Sequence, residues 1–229
     1  MCGFIPKIIF FDVDDTLLDF TAYQKYALET MCRQFGVEYS DKLLEVFNDV
    51  NLRLWRGIED GSVTRAQLHH DRFRLVFDQS GIRGGDPDKF EAGFRKNIFD
   101  YFVKIDGADE TLDYLSKKYE LCVVSNASLI QQQTRLKGAK IDCCFSKLFT
   151  SNELGADKPS KAFFDKVFAA LSGVKPEETL LVGDSPTADI AGGNAYGIKT
   201  CWFNRDGKSK QKVECNYEIR SLKELIGLF

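Results

Sequence analysis

Three aspartates, Asp12, Asp14 and Asp15, stand directly behind a run of four apolar or aromatic residues in the stretch IIFFDVDDTLL. The run Ile8 to Phe11 reads as a short buried strand, so the carboxylates gather at its C-terminal end. At about 4 Å and an effective dielectric of about 20, two like charges repel by about 4 kcal/mol, and such a cluster requires proton uptake or a bound cation. Three later stretches carry the complementary groups. LCVV at 121–124 runs into Ser125 and Asn126, a hydroxyl and turn amides ahead of a helix, which suits a phosphate. Lys158, in DKPS, offers one compact ammonium, and Pro159 behind it restricts its backbone to extended conformations. TLLVG at 179–183 ends in Asp184, and Asp189 follows about one turn later.

These groups need a scaffold that delivers strand ends to one place. From Gly107 onward the pattern alternates helix and strand: helices at 108–118, 128–138, 160–172, 187–196 and 221–228, and strands at 120–124, 147–150, 179–183 and 198–203. That alternation predicts a parallel sheet with helices on both faces, and the strand at 7–12 belongs to it. Between them, residues 21–35, 40–56, 64–79 and 87–102 have helical periodicity, with Ser40 and Thr64 as N-caps. The expected architecture is α/β: a Rossmann-like three-layer core, 1–17 plus 104–229, with an inserted α-helical domain at 18–103. In open sheets of this kind ligands bind at the carboxyl ends of strands.

Composition narrows the function. With 229 residues and 44% hydrophobic content the chain can bury a sizeable core. A net charge of -3 gives no basic footprint, so a polymeric nucleic acid is not an expected partner. No segment approaches the about 20 apolar residues of a membrane span, and the apolar run before Asp12 is too short for a signal peptide. The seven cysteines (Cys2, Cys32, Cys122, Cys143, Cys144, Cys201, Cys215) show no metal-ligand spacing and suit reduced thiols in a cytoplasm. Oligomeric state is not legible. The two histidines, His69 and His70, are adjacent and share no helix face, which argues against a histidine metal site.

In order along the chain, DVDDT, VVSNA, DKPS and VGDSPTAD resemble the four motifs of the haloacid dehalogenase superfamily, and the helical insertion resembles its C1-type cap. Within the cap, VNLRLW (50–55), GSVT (61–64) and QLHHDRF (67–73), with TCWFN (200–204) in the core, are similar to the pyrimidine 5'-nucleotidase family. The resemblance implies a phosphatase for small phosphorylated metabolites, with nucleoside monophosphates as substrates. Asp12 would be the nucleophile and form an aspartyl-phosphate, and Asp14 would serve as general acid and base. Ser125, the amide of Asn126 and Lys158 would hold the phosphoryl group. Hard oxygen ligands favour Mg²⁺, held by Asp12, Asp184 and, as the family implies, the backbone carbonyl of Asp14. Asp189 and Thr16 would support this inner set, whereas Asp15 is expected to cap the turn or face solvent. The +2 spacing puts Asp14 on the same face as Asp12 if the extended conformation continues.

Trp55, His70 and Arg72 stand in the nucleotidase-like stretches and are candidates for reading the leaving group, with Arg53, Arg65, Gln67 and His69 beside them. An arginine-bearing helix face is solvated by default, and Trp55 serves equally well as bundle packing. Three other functions fit parts of the pattern: a sugar-phosphate or N-acylneuraminate-9-phosphate phosphatase, a phosphomutase, and a phospho-accepting receiver module. A receiver, however, has no large helical insertion.

Overall fold

The computed structural model describes residues 4–207 and 214–229. Cys2 lies outside the described residues. The contacts divide the chain into two units, Met1–Asp19 with Phe102–Phe229, and Phe20–Tyr101. Each junction lies two residues further into the helical block than the pattern predicts. The amide of Asp19 donates to the Val103 carbonyl at 2.9 Å and that of Ile105 to Leu17 at 2.9 Å, so the outgoing and returning chains pair before they separate.

In the first unit, six strands among the described residues form one parallel sheet: β1 (Ile8–Phe11), β2 (Glu120–Ser125), β3 (Lys147–Thr150), β4 (Thr179–Gly183), β5 (Lys199–Phe203) and β6 (Tyr217–Ile219), in the order β3-β2-β1-β4-β5-β6. Every side chain of β1 is buried, because the strand is central and covered on both faces. The period of two sorts the side chains. Ile9 and Phe11 join Leu121, Val123, Leu180 and Val182 in one layer, while Ile8 and Phe10 join Cys122, Val124 and Leu181 in the other. Phe11 is level with Val123 on one side and Val182 on the other, so Asp12, Ser125 and Asp184 leave neighbouring strands at one end of the sheet. The chain order reverses between β1 and β4, and the crevice at such a switch point is where open α/β sheets bind ligands.

The second unit consists of α1 (Phe20–Phe35), α2 (Asp41–Asp60), α3 (Arg65–Ser80) and α4 (Pro87–Asn97), followed by a single 3₁₀ turn at Ile98–Asp100. Ser40 caps α2 through the Leu43 amide at 3.2 Å, and Thr64 with Gln67 forms a reciprocal capping box at the start of α3. Phe47, Phe73, Phe90 and Phe94 pack ring against ring inside the unit.

Helices α5 (Ala108–Ser116), α6 (Leu129–Gly138), α7 (Ser151–Leu154) and α8 (Lys161–Ala169) follow in the core. The helix predicted at 187–196 is a π-helical stretch, Pro186–Ala191, continued by α9 (Gly192–Tyr196). The last helix, α10 (Glu224–Leu228), starts later than the pattern suggests, because the Glu224 carboxylate accepts the amides of Arg220 and Ser221 ahead of it. β6 has three residues, too few for an alternation to register. Among the described residues, no helix is long and apolar enough to cross a membrane.

Candidate active site

The centre of the site is a buried ammonium. Lys158, 1% exposed, donates to Asp12 Oδ1 at 2.8 Å, to Asp189 Oδ1 at 2.6 Å and to the Val124 carbonyl at 2.8 Å. Its three protons are thereby all used. Asn126 sets the lysine in place by a two-sided amide contact: its Nδ2 donates to the Lys158 carbonyl at 2.9 Å, and its Oδ1 accepts the Lys158 amide at 2.8 Å. The Asn126 side chain is thus a clamp on the lysine loop, a role its sequence position did not announce. The Lys158-Pro159 peptide is cis.

Asp184, behind β4, is joined by Thr16, whose hydroxyl donates to Asp184 Oδ1 at 3.5 Å. Trp202 Nε1 donates to the Asp184 carbonyl at 2.9 Å. Asp189 is buried in the π-helical stretch, and its second oxygen accepts the Ser185 amide at 3.1 Å. The Ser185 hydroxyl in return accepts the Ala188 amide at 3.1 Å and caps the same turn. Gly183 leaves room for this packing, since a Cβ there would lie 2.3 Å from Asp189 Oδ2.

Asp12, Asp184 and Asp189 each bring a carboxylate oxygen within 4.8 Å of the others. Burial, opposed by Lys158 and reinforced by Asp189 and Asp14, pushes Asp12 up to about 7. Burial, with Asp12, Asp15 and Asp189 nearby, holds Asp184 well above the usual carboxylate range. Burial works against the Lys158 ammonium, but Asp12 and Asp189 more than offset it and raise its pKa above the ordinary value. Three carboxylates thus share one ammonium. The excess negative charge and the hard oxygen donors fit a divalent cation such as Mg²⁺. Asp189 has both oxygens engaged, which leaves Asp12 and Asp184 as the carboxylates free to turn toward a metal.

The extended conformation that would put Asp14 on the face of Asp12 ends at Phe11. The chain instead folds into a tight turn in which the amides of Leu17 and Leu18 donate to the Val13 carbonyl, and Asp15 adopts a left-handed φ of 58°. Asp15 faces Arg205 at 3.9 Å. Asp14 is positioned from α6: Gln132 Nε2 donates to Asp14 Oδ2 at 2.9 Å, and Arg135 ion-pairs with Asp14 Oδ1. Both α6 side chains are fully buried. Neither was singled out in the sequence. The available signal was their i,i+3 spacing beside the buried Leu136, one face of one helix. Ser125, 1% exposed, precedes the cap of α6, which is Ser128.

In the helical unit the three expected specificity residues differ. His70 is exposed and contacts Asp71 at 2.6 Å. Trp55 is partly buried against the aromatic core, with the Arg65 guanidinium 5.4 Å from its ring centre. Arg72 corrects the expectation of a substrate-reading arginine. It is 3% exposed and bonds Glu91 through Nε at 3.0 Å and Nη2 at 2.7 Å, and Asn51 through Nη1 at 3.0 Å. Despite burial, hydrogen bonds from His69 and the Arg72 charge hold Glu91 below its ordinary range. Arg72→Met leaves that carboxylate buried without its main partner and is expected to cost about 3 kcal/mol of stability. Denaturant titration checks this. A cost below about 1 kcal/mol, the size of an exposed pair, would show that Arg72 is not an interior strut.

The family model described as haloacid dehalogenase-like hydrolase matches residues 9–203. The HAD-hydrolase YfnB of Bacillus subtilis is 33% identical over 220 residues, covering 96% of this chain and 93% of that protein. A crystal structure of YfnB bound to magnesium superposes with a TM-score of 0.91, at 32% identity and 98% coverage of both chains. Two pyrimidine 5'-nucleotidases also match: PynA of Streptococcus pneumoniae, 29% identical over 96% of this chain and 93% of its own, and YjjG of Escherichia coli, 28% identical over 95% of each. The strand-end carboxylates around Lys158 and the family match over most of the chain agree: the protein belongs to the haloacid dehalogenase-like hydrolase family.

Proposed function

We propose that the protein is a Mg²⁺-dependent phosphatase that hydrolyses pyrimidine nucleoside 5'-monophosphates through an aspartyl-phosphate on Asp12. The observation that carries the reading is the contact of Lys158 with Asp12 at the switch point of the sheet, one carboxylate oxygen held and the other left for attack on phosphorus. The ammonium holds Asp12 oriented and draws charge from the phosphoryl oxygens as the transition state forms. Ser125 and the turn amide at Asn126 receive those oxygens. Asp14, beyond the nucleophile in sequence and held by α6, protonates the leaving ribose oxygen and then takes a proton from the water that hydrolyses the aspartyl-phosphate. Asp12, Asp184 and the Asp14 carbonyl are the ligands assigned to Mg²⁺, which when bound offsets the repulsion between a carboxylate and a phosphate dianion.

The choice of a pyrimidine nucleotide leans on the similarity to PynA and YjjG and on the nucleotidase-like cap stretches. In the helical unit His70 and Trp55 retain exposed surface for reading a leaving group, and Arg72 does not. Unpaired cysteines at the six described positions suit a reducing cytoplasm. A panel of nucleoside monophosphates and sugar phosphates with Mg²⁺ tests the assignment. UMP, dUMP and dTMP are expected to lead it, and turnover of sugar phosphates with these three inert would overturn the nucleotide reading while leaving a phosphatase.

A further inference from the structure

The first turn and a half of α6 carries a side chain that touches both Ser125 and Asp14. Gln132 is fully buried, and its amide nitrogen donates one proton to Ser125 Oγ at 2.9 Å and the other to Asp14 Oδ2 at 2.9 Å. Its oxygen accepts from Arg135 Nη1 at 3.3 Å. The direction of the amide is set by these neighbours, because a carboxylate accepts and a guanidinium donates. Only with the nitrogen toward Asp14 are both satisfied.

That direction decides what Ser125 can do. A hydroxyl has two acceptor positions and one proton. Ser125 Oγ accepts from the Ala127 amide at 3.1 Å and from Gln132 at 2.9 Å, so both acceptor positions are filled. The proton is thereby left to be donated, and a phosphoryl oxygen is the acceptor it would meet at the end of β2. Were the amide reversed, the hydroxyl would donate to Gln132 instead and be lost to the substrate.

We propose that Gln132 is a positioning residue that commits the Ser125 hydroxyl to donation toward the phosphoryl group and, with Arg135, holds Asp14 beside the leaving oxygen. The inference rests on the phosphatase reading above. It assigns one residue to two functions at once, and those functions separate in different substrates. A nucleoside leaving group departs as a poor alkoxide and needs a proton, whereas p-nitrophenolate departs unaided. kcat/KM covers steps only through the first irreversible one, the transfer to Asp12, so the ratio of UMP to p-nitrophenyl phosphate isolates the acid function.

Gln132→Met, close in size and unable to donate a hydrogen bond, is expected to lower kcat/KM for both substrates and to lower the UMP to p-nitrophenyl phosphate ratio a further roughly tenfold, the low end of what a general acid contributes being larger still. Inhibition by inorganic phosphate is expected to weaken in Gln132→Met, and to weaken no further when Gln132→Met is added to Ser125→Ala, because the effect runs through that hydroxyl. If Gln132→Met does not fold, the near-isosteric Gln132→Glu carries the phosphate-inhibition test, since its carboxylate accepts from the Ser125 hydroxyl and takes that donor from the phosphoryl group. An unchanged substrate ratio in a variant with wild-type melting temperature, or independent effects of the two substitutions on phosphate inhibition, would overturn the proposal. A wild-type protein that hydrolyses no phosphate monoester would instead overturn the phosphatase reading, and this inference with it.

Discussion

Asp12→Asn is expected to abolish turnover while the protein keeps or gains thermal stability. The two halves of that result come from one geometry. Asp12 Oδ1 accepts from Lys158 at 2.8 Å, and an asparagine oxygen at the same place can still accept from the ammonium. Packing is also preserved, since the two side chains have nearly the same volume. Under the proposed mechanism, what is lost is the carboxylate's second oxygen as a nucleophile toward phosphorus, for which an amide nitrogen is no substitute. What is relieved is the burial of a carboxylate, reinforced by neighbouring carboxylates, that pushes Asp12 up to about 7 and Asp184 well above its usual range. Steady-state hydrolysis of UMP or p-nitrophenyl phosphate, run beside a melting curve, reads both. A folded variant with more than a few per cent of the wild-type kcat would remove Asp12 as nucleophile, and a melting temperature well below wild type would contradict the crowding.

Asp12, Lys158 and Asp184 were legible in the sequence because each follows a short apolar run or loop signal that ends at a charged residue, and a buried strand has no other reason to end so. The parallel sheet and the helical insertion were legible for the same reason, a change in hydrophobic period at Thr21 and again after Gly107. Gln132 and Arg135 were not, although they are as buried as any phenylalanine of the core. On a helix a glutamine and an arginine one turn apart read as a solvated face, and only the turn of residues 13–18 packed over α6 makes that face interior. Arg72 misled for a related reason. Its neighbours in sequence suggested a ligand, but Glu91 and Asn51, which claim it, come from α4 and α2. Asn126 shows the intermediate case: its position at a strand end marked it as functional, while its clamp on the Lys158 backbone is a long-range contact that no local pattern encodes.

In EDTA the protein is expected to be most stable in mildly acid solution, and Mg²⁺ is expected to raise its melting temperature more at pH 8 than at pH 5.5. A carboxyl whose folded-state pKa lies above its unfolded value binds more protons in the native state between the two pKa values, so stability falls as pH rises through that window and levels off above it. For Asp12 the window runs from its ordinary 3.8 to about 7, and the upward shift of Asp184 acts in the same direction. Lys158, shifted upward as a cation, contributes stability that is fully present below its ordinary value of 10.5 and so adds no slope here. Glu91, shifted downward, loses its contribution only as the solution becomes more acid than its ordinary 4.5. A divalent cation binds the ionised carboxylates, which are the native form only above the window. At about 100 times its dissociation constant such a cation adds about 2.7 kcal/mol at pH 8, and less where the site is protonated. Asp12→Asn removes one titrating carboxyl together with the charge that helps to raise Asp184, and is expected to flatten the metal-free profile between pH 5 and 8. Melting temperatures across that range, with EDTA and with Mg²⁺, decide the matter: a metal-free optimum above pH 8, or an equal response to Mg²⁺ at both ends, would show that the cluster is compensated by something other than a cation.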